Sequence, residues 1–267
     1  MNLMELCKLN KKQVDRLIQD ITLEEYQSYI PKLLLDPRQT IKKIGISLQE
    51  KVHKHEEEII RVKGLWRFEE ELFSNGIKMI AGIDEVGRGP LAGPVVAAAV
   101  ILPEGIFIEG INDSKKVNKL RREAIYNVIM NEALGVGIGI VENDIIDEIN
   151  ILNATKLAMK EAVKKLPCVP QYLLIDALEL DDIAIKQKGI VGGDGKSISI
   201  AAASIVAKVT RDQIMERYDS SYPEYKFSVH KGYGTAEHYG ILRLNGITSI
   251  HRKSFLKKLG DEWNANT

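Results

Sequence analysis

Glycine is distributed very unevenly along this chain of 267 residues. The first 75 residues contain only Gly45 and Gly64, and their apolar residues recur at helical spacing among many charged side chains. Val14 and Ile18 share one face of such a helix, and Asp36-Pro37 predicts a break because residues before proline avoid the helical region. We therefore predict that residues 1–75 form a helical arm and that the remaining residues, 76–267, form a separate domain.

From residue 78 onward, short apolar runs alternate with amphipathic segments. The predicted strands are residues 79–83, 95–102, 134–141, 172–175 and 183–191. One helix is predicted over residues 120–132, and a longer one begins at Ser197 or Ser199 and reaches residue 218. Asn143 and Asn153 are predicted N-caps of two further helices. Strands that come first and then alternate with helices predict an α/β fold with a mixed sheet flanked by helices.

Composition narrows the class of protein without identifying a partner. Lysine and arginine together number 37, as do aspartate and glutamate, so overall charge does not indicate a polyanionic ligand. Cys7 and Cys168 are too few for a disulfide framework or a structural zinc site, which favours a reducing compartment. The first 12 residues lack a secretory signal, and the longest apolar run, residues 95–102, is too short to span a bilayer. We expect a cytoplasmic protein that does not bind membranes.

Four acids stand at the ends of predicted strands or in a tight turn: Asp84, Glu85, Asp176 and Asp194. A carboxylate beside an apolar strand loses hydration unless a cation or a hydrogen-bond donor compensates, and hard divalent ions prefer carboxylate oxygen. Neighbouring strand residues point to opposite faces, so Asp84 and Glu85 can share a metal ion only if the strand bends there. The glycines that follow, at positions 87 and 89, make such a bend inexpensive.

The alternative is that each acid only ends a strand or caps a helix. For Asp194 taken alone the capping role is favoured, because aspartate before a helix is a common N-cap. For Asp176 alone the two interpretations are equally good. For Asp84-Glu85 the metal site is favoured, since local pairing of Glu85 with Arg88 would leave the flanking glycines unexplained.

Seven blocks of sequence, in one order, resemble the ribonuclease HII family, the type 2 ribonucleases H. They are residues 83–94, 112–116, 174–177, 193–194, 202–212, 230–235 and 251–255. The resemblance covers about residues 78–258 and implies a catalytic domain of RNase H-like fold with a basic, helical C-terminal region. It implies an endonuclease that cuts the RNA strand of RNA·DNA hybrids and incises duplex DNA at embedded ribonucleotides.

The resemblance also implies a metal centre and residues that contact the substrate. It assigns two Mn²⁺ or Mg²⁺ ions to Asp84, Glu85, Asp176 and Asp194, and hydrolysis that leaves a 3′-hydroxyl and a 5′-phosphate. The sugar contacts fall on Gly87, Arg88 and Gly89, whose backbone would read the ribose 2′-hydroxyl, and on Tyr233 near the ribonucleotide. Without the resemblance, Tyr233 would be interpreted as a buried aromatic. The phosphate-contact candidates are Lys115, Lys116 and Lys231, although exposed lysines are usually only solvated.

Residues 226–258 form a basic region with a single acid, Glu237. Three histidines, His230, His238 and His251, lie among its cations, which are Lys226, Lys231, Arg243, Arg252, Lys253, Lys257 and Lys258. In a neutral chain this excess predicts contact with a phosphate backbone, the alternative being a solvated helix face. The arm lies outside the resemblance, and its balanced charge does not indicate a nucleic-acid module. We expect a monomer, and a partner of the arm stays undetermined.

Three other functions are alternatives: a nuclease of the same fold that cuts DNA, which acid clusters alone would permit, a catalytically silent nucleic-acid-binding module, and a small-molecule phosphatase. Residues 87–89 and Tyr233 disfavour the first, because they suit a 2′-hydroxyl. The four acids disfavour the second, because uncompensated carboxylates repel phosphate. The basic C-terminal region disfavours the third.

Overall fold

The computed structural model describes residues 3–256, apart from the side chains of residues 3 and 7. These residues fall into two compact units, which divide between Arg61 and Val62. The division lies earlier than the predicted boundary near residue 75 because Val62, Leu65 and Trp66 are buried in a core cluster of the second unit. No helix in residues 3–256 combines the length and the apolar composition needed to cross a lipid bilayer.

The first unit is helical, as predicted for the arm. Its helices are α1 (Leu3–Lys8), α2 (Lys11–Asp20), α3 (Leu23–Leu35) and most of α4 (Gln39–Leu65). Asn10 and Gln13 form a capping box at the start of α2, and Leu6, Val14 and Leu33 are buried between helices. The predicted break at Asp36-Pro37 is confirmed, since α3 ends before Asp36 and α4 begins at Gln39.

The second unit contains a mixed sheet of five strands in the order β3-β2-β1-β4-β5. The strands are β1 (Ile80–Val86), β2 (Val95–Ile101), β3 (Gly135–Val141), β4 (Tyr172–Asp176) and β5 (Lys186–Ile190). Strand β1 is antiparallel to β2 and parallel to β4, and β4 is parallel to β5. The predicted mixed sheet is therefore confirmed, with β1 at its centre.

Helices cover both faces of this sheet. The helices of the second unit are α5 (Arg67–Ser74), α6 (Lys119–Glu132), α7 (Asn143–Ile149), α8 (Ile151–Lys164), α9 (Ile198–Ser221), α10 (Phe227–His230), α11 (Ala236–Asn245) and α12 (Lys253–Leu256). A Cβ atom on Gly82 of β1 would lie 2.0 Å from the backbone of Ser199 in α9. A Cβ atom on Gly139 of β3 would lie 1.9 Å from the carbonyl oxygen of Ala158 in α8. Glycine therefore allows the helix backbones to lie directly on the sheet.

Two local predictions are corrected by tertiary contacts. The caps of α7 and α8 are Glu142 and Asn150 rather than Asn143 and Asn153. Asn143 is already helical, and its side chain donates to the carbonyls of Ser249 and His251. The fifth strand is shorter than residues 183–191, because only Lys186–Ile190 pairs with β4.

Candidate active site

The carboxyl ends of β1 and β4 bring acidic side chains to one edge of the sheet. The two strands are parallel, and their pairing ends at Ile83 and Ile175. The next residues along the chain are Asp84 and Asp176, which therefore leave the paired region side by side. Strand β1 stays paired with β2 on its other side through Val86, so Asp84 and Glu85 are held by the sheet itself.

Asp84 is a buried carboxylate surrounded by other acids. Its side chain accepts a hydrogen bond from the backbone N–H of Glu85 at 2.7 Å, and the side chain of Ser204 on α9 acts to lower its pKa. Burial raises the pKa of Asp84 well above its ordinary value, and the negative charges of Glu85 and Asp176 raise it further. A cation bound beside Asp84 would stabilise its ionised form.

Glu85 has one oxygen with a partner and one without. Its Oε1 atom lies 3.3 Å from Nη1 of Arg88. Its Oε2 atom is buried and has no hydrogen-bond partner among the described residues. Burial raises the pKa of the Glu85 carboxyl, although Arg88 acts in the opposite direction. A buried carboxylate oxygen without a donor is an expected feature of a cation ligand.

Asp176 and Asp194 approach each other through a short 3-10 turn, Gly193–Gly195. The backbone N–H of Gly193 donates to Oδ1 of Asp176 at 2.7 Å, which holds the turn against the end of β4. Burial raises the pKa of Asp194, and the charges of Asp113 and Asp176 add to this effect. The structure therefore brings the four predicted acids into one electrostatic neighbourhood. It adds Asp113, which the sequence presents only as part of a motif.

The donor set suits hard divalent cations, but its side chains are not arranged around an ion. Among residues 3–256, no group of three or more His, Cys, Asp or Glu side chains has the geometry to hold a metal ion. Each of three side chains also has a local partner: Asp84 accepts from a backbone N–H, Glu85 pairs with Arg88, and Asp176 accepts from Gly193. All-carboxylate chemistry and the unpartnered oxygen of Glu85 fit Mg²⁺ or Mn²⁺. The bonds that Asp84 and Asp176 accept each use Oδ1, and a carboxylate that accepts one hydrogen bond keeps a second oxygen for a cation.

The loop after β1 lies next to these acids and requires glycine at Gly87. Gly87 has a φ of +93°, and a Cβ atom there would lie 2.2 Å from Nε of Arg211. A Cβ atom on Gly89 would lie 3.8 Å from Cε1 of Tyr233, whose side chain is 40% exposed. The exposed ring of Tyr233 and the backbone of residues 87–89 therefore form one surface beside the acids.

The three predicted phosphate-contact lysines differ in position. Lys115 lies near the acids, since its charge lowers the pKa of Asp194. Lys116 is exposed, with its Nζ atom 3.7 Å from Asp113. Lys231 is largely buried, and its Nζ atom lies 2.9 Å from Glu216. The structure therefore brings Lys115 to the acids but engages Lys231 in an ion pair.

The basic region is less cationic than its sequence predicts. Its three histidines are buried, and burial lowers the pKa of His238 to about 4 and that of His251 to about 3, so both are neutral at pH 7. Lys226 pairs with Glu237 at 2.8 Å, and Arg252 is fully buried. Lys257 and Lys258 lie outside the described residues. The exposed cations of the region are consequently fewer than the sequence count.

An RNase H-like mixed sheet, with carboxylates gathered at the ends of two parallel central strands, places this chain in the ribonuclease H class of enzymes. Residues 81–258 match the sequence profile of the family described as Ribonuclease HII. The chain belongs to the ribonuclease HII family.

Relatives support this membership over nearly the whole chain. It is 51% identical to the ribonuclease HII of Clostridioides difficile (strain 630) over 93% of this chain and 97% of that protein. It is 52% identical to the ribonuclease HII of Acetivibrio thermocellus over 92% of this chain and 96% of that protein. Coverage this high leaves too few residues for the whole first unit to lie outside the alignments, so part of the arm is shared with these relatives.

Solved structures share the fold. Ribonuclease H2 of Pyrococcus horikoshii OT3 superposes with a TM-score of 0.59 at 25% identity, over 70% of this chain and 99% of that one. Archaeoglobus fulgidus RNase HII, solved in complex with PCNA, superposes with a TM-score of 0.55 at 25% identity, over 66% of this chain and 94% of that one.

Proposed function

We propose that this ribonuclease H is an endonuclease that hydrolyses the RNA strand of RNA·DNA hybrids and incises duplex DNA at embedded ribonucleotides. The observation that carries the proposal is the contiguity of two features. Acidic side chains gather at the ends of β1 and β4, and the loop of residues 87–89 lies beside them with Tyr233 against Gly89. A phosphodiester and its neighbouring ribose can contact these two features together.

The four acids are proposed to hold two divalent ions, Mn²⁺ or Mg²⁺. When bound, such ions activate water at neutral pH and stabilise the charge on the leaving oxygen, which yields a 3′-hydroxyl and a 5′-phosphate. The N–H of Glu85 orients Asp84, and the N–H of Gly193 orients Asp176. Preorganised ligands reduce the cost of assembling the site on a substrate.

The substrate contacts are proposed as follows. The backbone of Gly87, Arg88 and Gly89 approaches the ribose, since glycine leaves room for a sugar. The exposed ring of Tyr233 packs on the ribonucleotide, and Lys115 and Lys116 attract phosphates. Lys231 contributes through its charge only if its pair with Glu216 opens.

The proposal extends to the setting in which the protein acts. We propose a monomer that works in the cytoplasm. Cys168 is a free thiol, which accords with a reducing compartment.

The deciding experiment is cleavage of an end-labelled DNA duplex that contains one ribonucleotide, with Mg²⁺, with Mn²⁺ or with a chelator. We expect one cut at the ribonucleotide with a divalent ion, no cut with the chelator, and no cut of the all-DNA duplex. Mapped products should carry a 3′-hydroxyl and a 5′-phosphate. Equal cleavage of the all-DNA duplex would indicate a DNA nuclease, and binding without cleavage would indicate a silent module. A 2′,3′-cyclic phosphate would exclude attack by water.

A further inference from the structure

Two arginines of the second unit are buried without an acidic partner. Arg211 of α9 and Arg252, which precedes α12, are both 0% exposed. Neither forms an ion pair with a carboxylate of residues 3–256, unlike five other arginines. Burial lowers the pKa of Arg211 to about 10 and that of Arg252 to about 9, so both stay charged at neutral pH. An uncompensated buried charge is costly, and the hydrogen bonds that offset the cost show what each arginine holds.

Arg252 closes the loop that follows β1. Its Nη2 atom donates to the carbonyl of Gly87 at 2.6 Å, and its Nη1 atom donates to the carbonyl of Arg88 at 3.0 Å. Its Nε and Nη2 atoms both donate to the carbonyl of Gly93, at 2.9 and 2.8 Å. One guanidinium therefore binds both ends of residues 87–93, which connect β1 to β2. A lysine has a single ammonium nitrogen and cannot reproduce this planar arrangement of donors.

Arg211 joins the same loop to the segment that carries Tyr233. It donates to the carbonyls of Pro94 at 3.0 Å and Ala92 at 3.1 Å, and to the carbonyl of Lys231 at 2.9 Å. Its guanidinium lies 5.9 Å from the centre of the Tyr233 ring. The two segments also bond directly, since the N–H of Leu91 donates to the carbonyl of Gly232.

These bonds determine the direction of the remaining backbone groups. The peptide bonds of residues 3–256 are all trans, so each carbonyl and the N–H of the next residue point in opposite directions. Because the carbonyls of Gly87 and Arg88 face Arg252, the N–H groups of Arg88 and Gly89 point away from it. The loop thus offers donors, rather than these two carbonyls, to a ligand on its other side.

We propose that Arg211 and Arg252 are positioning residues for sugar discrimination, which fix the N–H groups of Arg88 and Gly89 and the ring of Tyr233 against the ribose. This inference rests on the proposed function, because it presumes that the loop of residues 87–89 contacts the sugar. The 2′-oxygen then accepts a hydrogen bond from the loop. A loosened loop loses the distinction between ribose and deoxyribose, while contacts with phosphates persist.

The test compares two duplexes that differ by a single 2′-hydroxyl. Their dissociation constants are measured by fluorescence anisotropy with Mg²⁺, in an Asp84→Asn parent that is expected not to cleave. The readout is the Kd for the all-DNA duplex divided by the Kd for the duplex with one ribonucleotide. We expect Arg252→Lys, Arg252→Met and Arg211→Lys each to lower this ratio at least fivefold. The Kd for the all-DNA duplex should change less than threefold.

A matched control is Arg38→Lys in the first unit. Arg38 also bonds backbone carbonyls, those of Leu6 and Leu9, beside its pair with Asp36. This variant should lower Tm without changing the ratio. If Arg252→Met does not fold, Arg252→Lys, Arg211→Lys and hydrogen exchange of the wild type still test whether the arginines hold the loop in place. The amides of Leu91 and Gly93 should exchange as slowly as those of β1, and exchange at the rate of an open loop would overturn the proposal.

The outcomes separate this inference from the proposed function. A Kd ratio near one in the Asp84→Asn parent would show that the protein does not discriminate between the sugars in binding, which would contradict both the proposed sugar contact and this inference. A ratio above one that every arginine variant preserves would overturn the inference alone. Equal weakening of both duplexes would make the arginines structural. Loss in Arg252→Met with a normal ratio in Arg252→Lys would assign the effect to charge and would also overturn positioning.

Discussion

Asp84 is the residue at which burial, Glu85 and Asp176 all act against ionisation. Asp84→Asn removes one charge and keeps the shape of the side chain. We expect cleavage to fall at least about 100-fold, which is ~2.7 kcal/mol of transition-state stabilisation, while affinity for a hybrid stays within a few-fold. Kinetics and binding on one labelled hybrid measure both. The control Asp182→Asn changes a side chain that is 92% exposed and should leave both unchanged. Full activity of Asp84→Asn would exclude Asp84 from the metal site.

Tyr233 is a second single residue whose position supports a prediction, because its ring is exposed and adjacent to Gly89. Tyr233→Ala should reduce incision at a single ribonucleotide more than cleavage within a long hybrid, where neighbouring riboses offer alternative registers. Tyr233→Phe keeps the ring and should retain most of the activity on both substrates. The measurement is kcat/KM on the two substrates. An equal loss on both would show that the tyrosine only maintains the fold.

At the scale of elements, Glu69 connects α5 with the start of α9. Its Oε1 atom accepts from the hydroxyls of Ser197 and Ser199, at 2.5 and 2.6 Å, and from the N–H of Ser199. A carboxylate at a helix N-terminus also interacts favourably with the helix dipole. Glu69→Ala leaves these buried donors unpaired and should lower the free energy of unfolding by about 3 kcal/mol. Denaturant unfolding measures this. The control is Glu70→Ala, which changes the exposed neighbour. A similar decrease in the free energy of unfolding in that variant would contradict the role of Glu69 in joining α5 to α9.

Glu69 also illustrates what a sequence reveals about elements. Strands such as β3 were predictable because its glycines alternate with apolar residues, and the structure gives the cause in the close approach of α8. A glutamate within a charged helix carries no sign that it is buried against Ser197 and Ser199. The cap of α8 was equally hidden, because the choice between Asn150 and Asn153 depends on which side chain reaches the first N–H groups of the helix.

For the molecule as a whole, the candidate site divides into residues that the sequence reveals and residues that it does not. The acids are detectable because a carboxylate at the end of an apolar strand needs compensation. Arg211 and Arg252 are not detectable in this way. Their partners are backbone carbonyls from distant parts of the chain, and in sequence Arg252 is one more cation of the basic region.

The histidine cluster, His230, His238 and His251, shows the same dependence on tertiary structure, and it makes stability depend on pH. The N–H of Thr248 donates to Nδ1 of His251, so Nε2 of His251 carries the proton that bridges 3.0 Å to Nε2 of His238. His238 then donates from Nδ1 to the carbonyl of Tyr233 at 2.9 Å. This chain of bonds requires both rings to be neutral, since a proton added to Nε2 of His238 would face the N–H of His251.

Acid should therefore destabilise the fold through these two rings. In the unfolded chain both histidines bind protons below about pH 6.5, whereas in the fold they stay neutral down to about pH 4 for His238 and about pH 3 for His251. Between pH 6.5 and 4 the unfolded state thus binds more protons than the folded state, so the free energy of unfolding decreases as the pH is lowered. Above pH 7 these two histidines add no pH dependence. The buried acids with raised pKa values, such as Asp84, act in the opposite sense but equally in every variant compared.

The comparison uses His238→Asn, whose amide can still donate to the carbonyl of Tyr233. We expect this variant to be less stable than the wild type at pH 7.5 but to lose less stability between pH 7.5 and 5.0. Urea unfolding in the presence of a chelator measures both values. His53→Asn serves as the control, because its side chain is 70% exposed and should leave the wild-type pH dependence nearly unchanged. Identical pH slopes in the wild type and His238→Asn would show that the cluster does not titrate on unfolding.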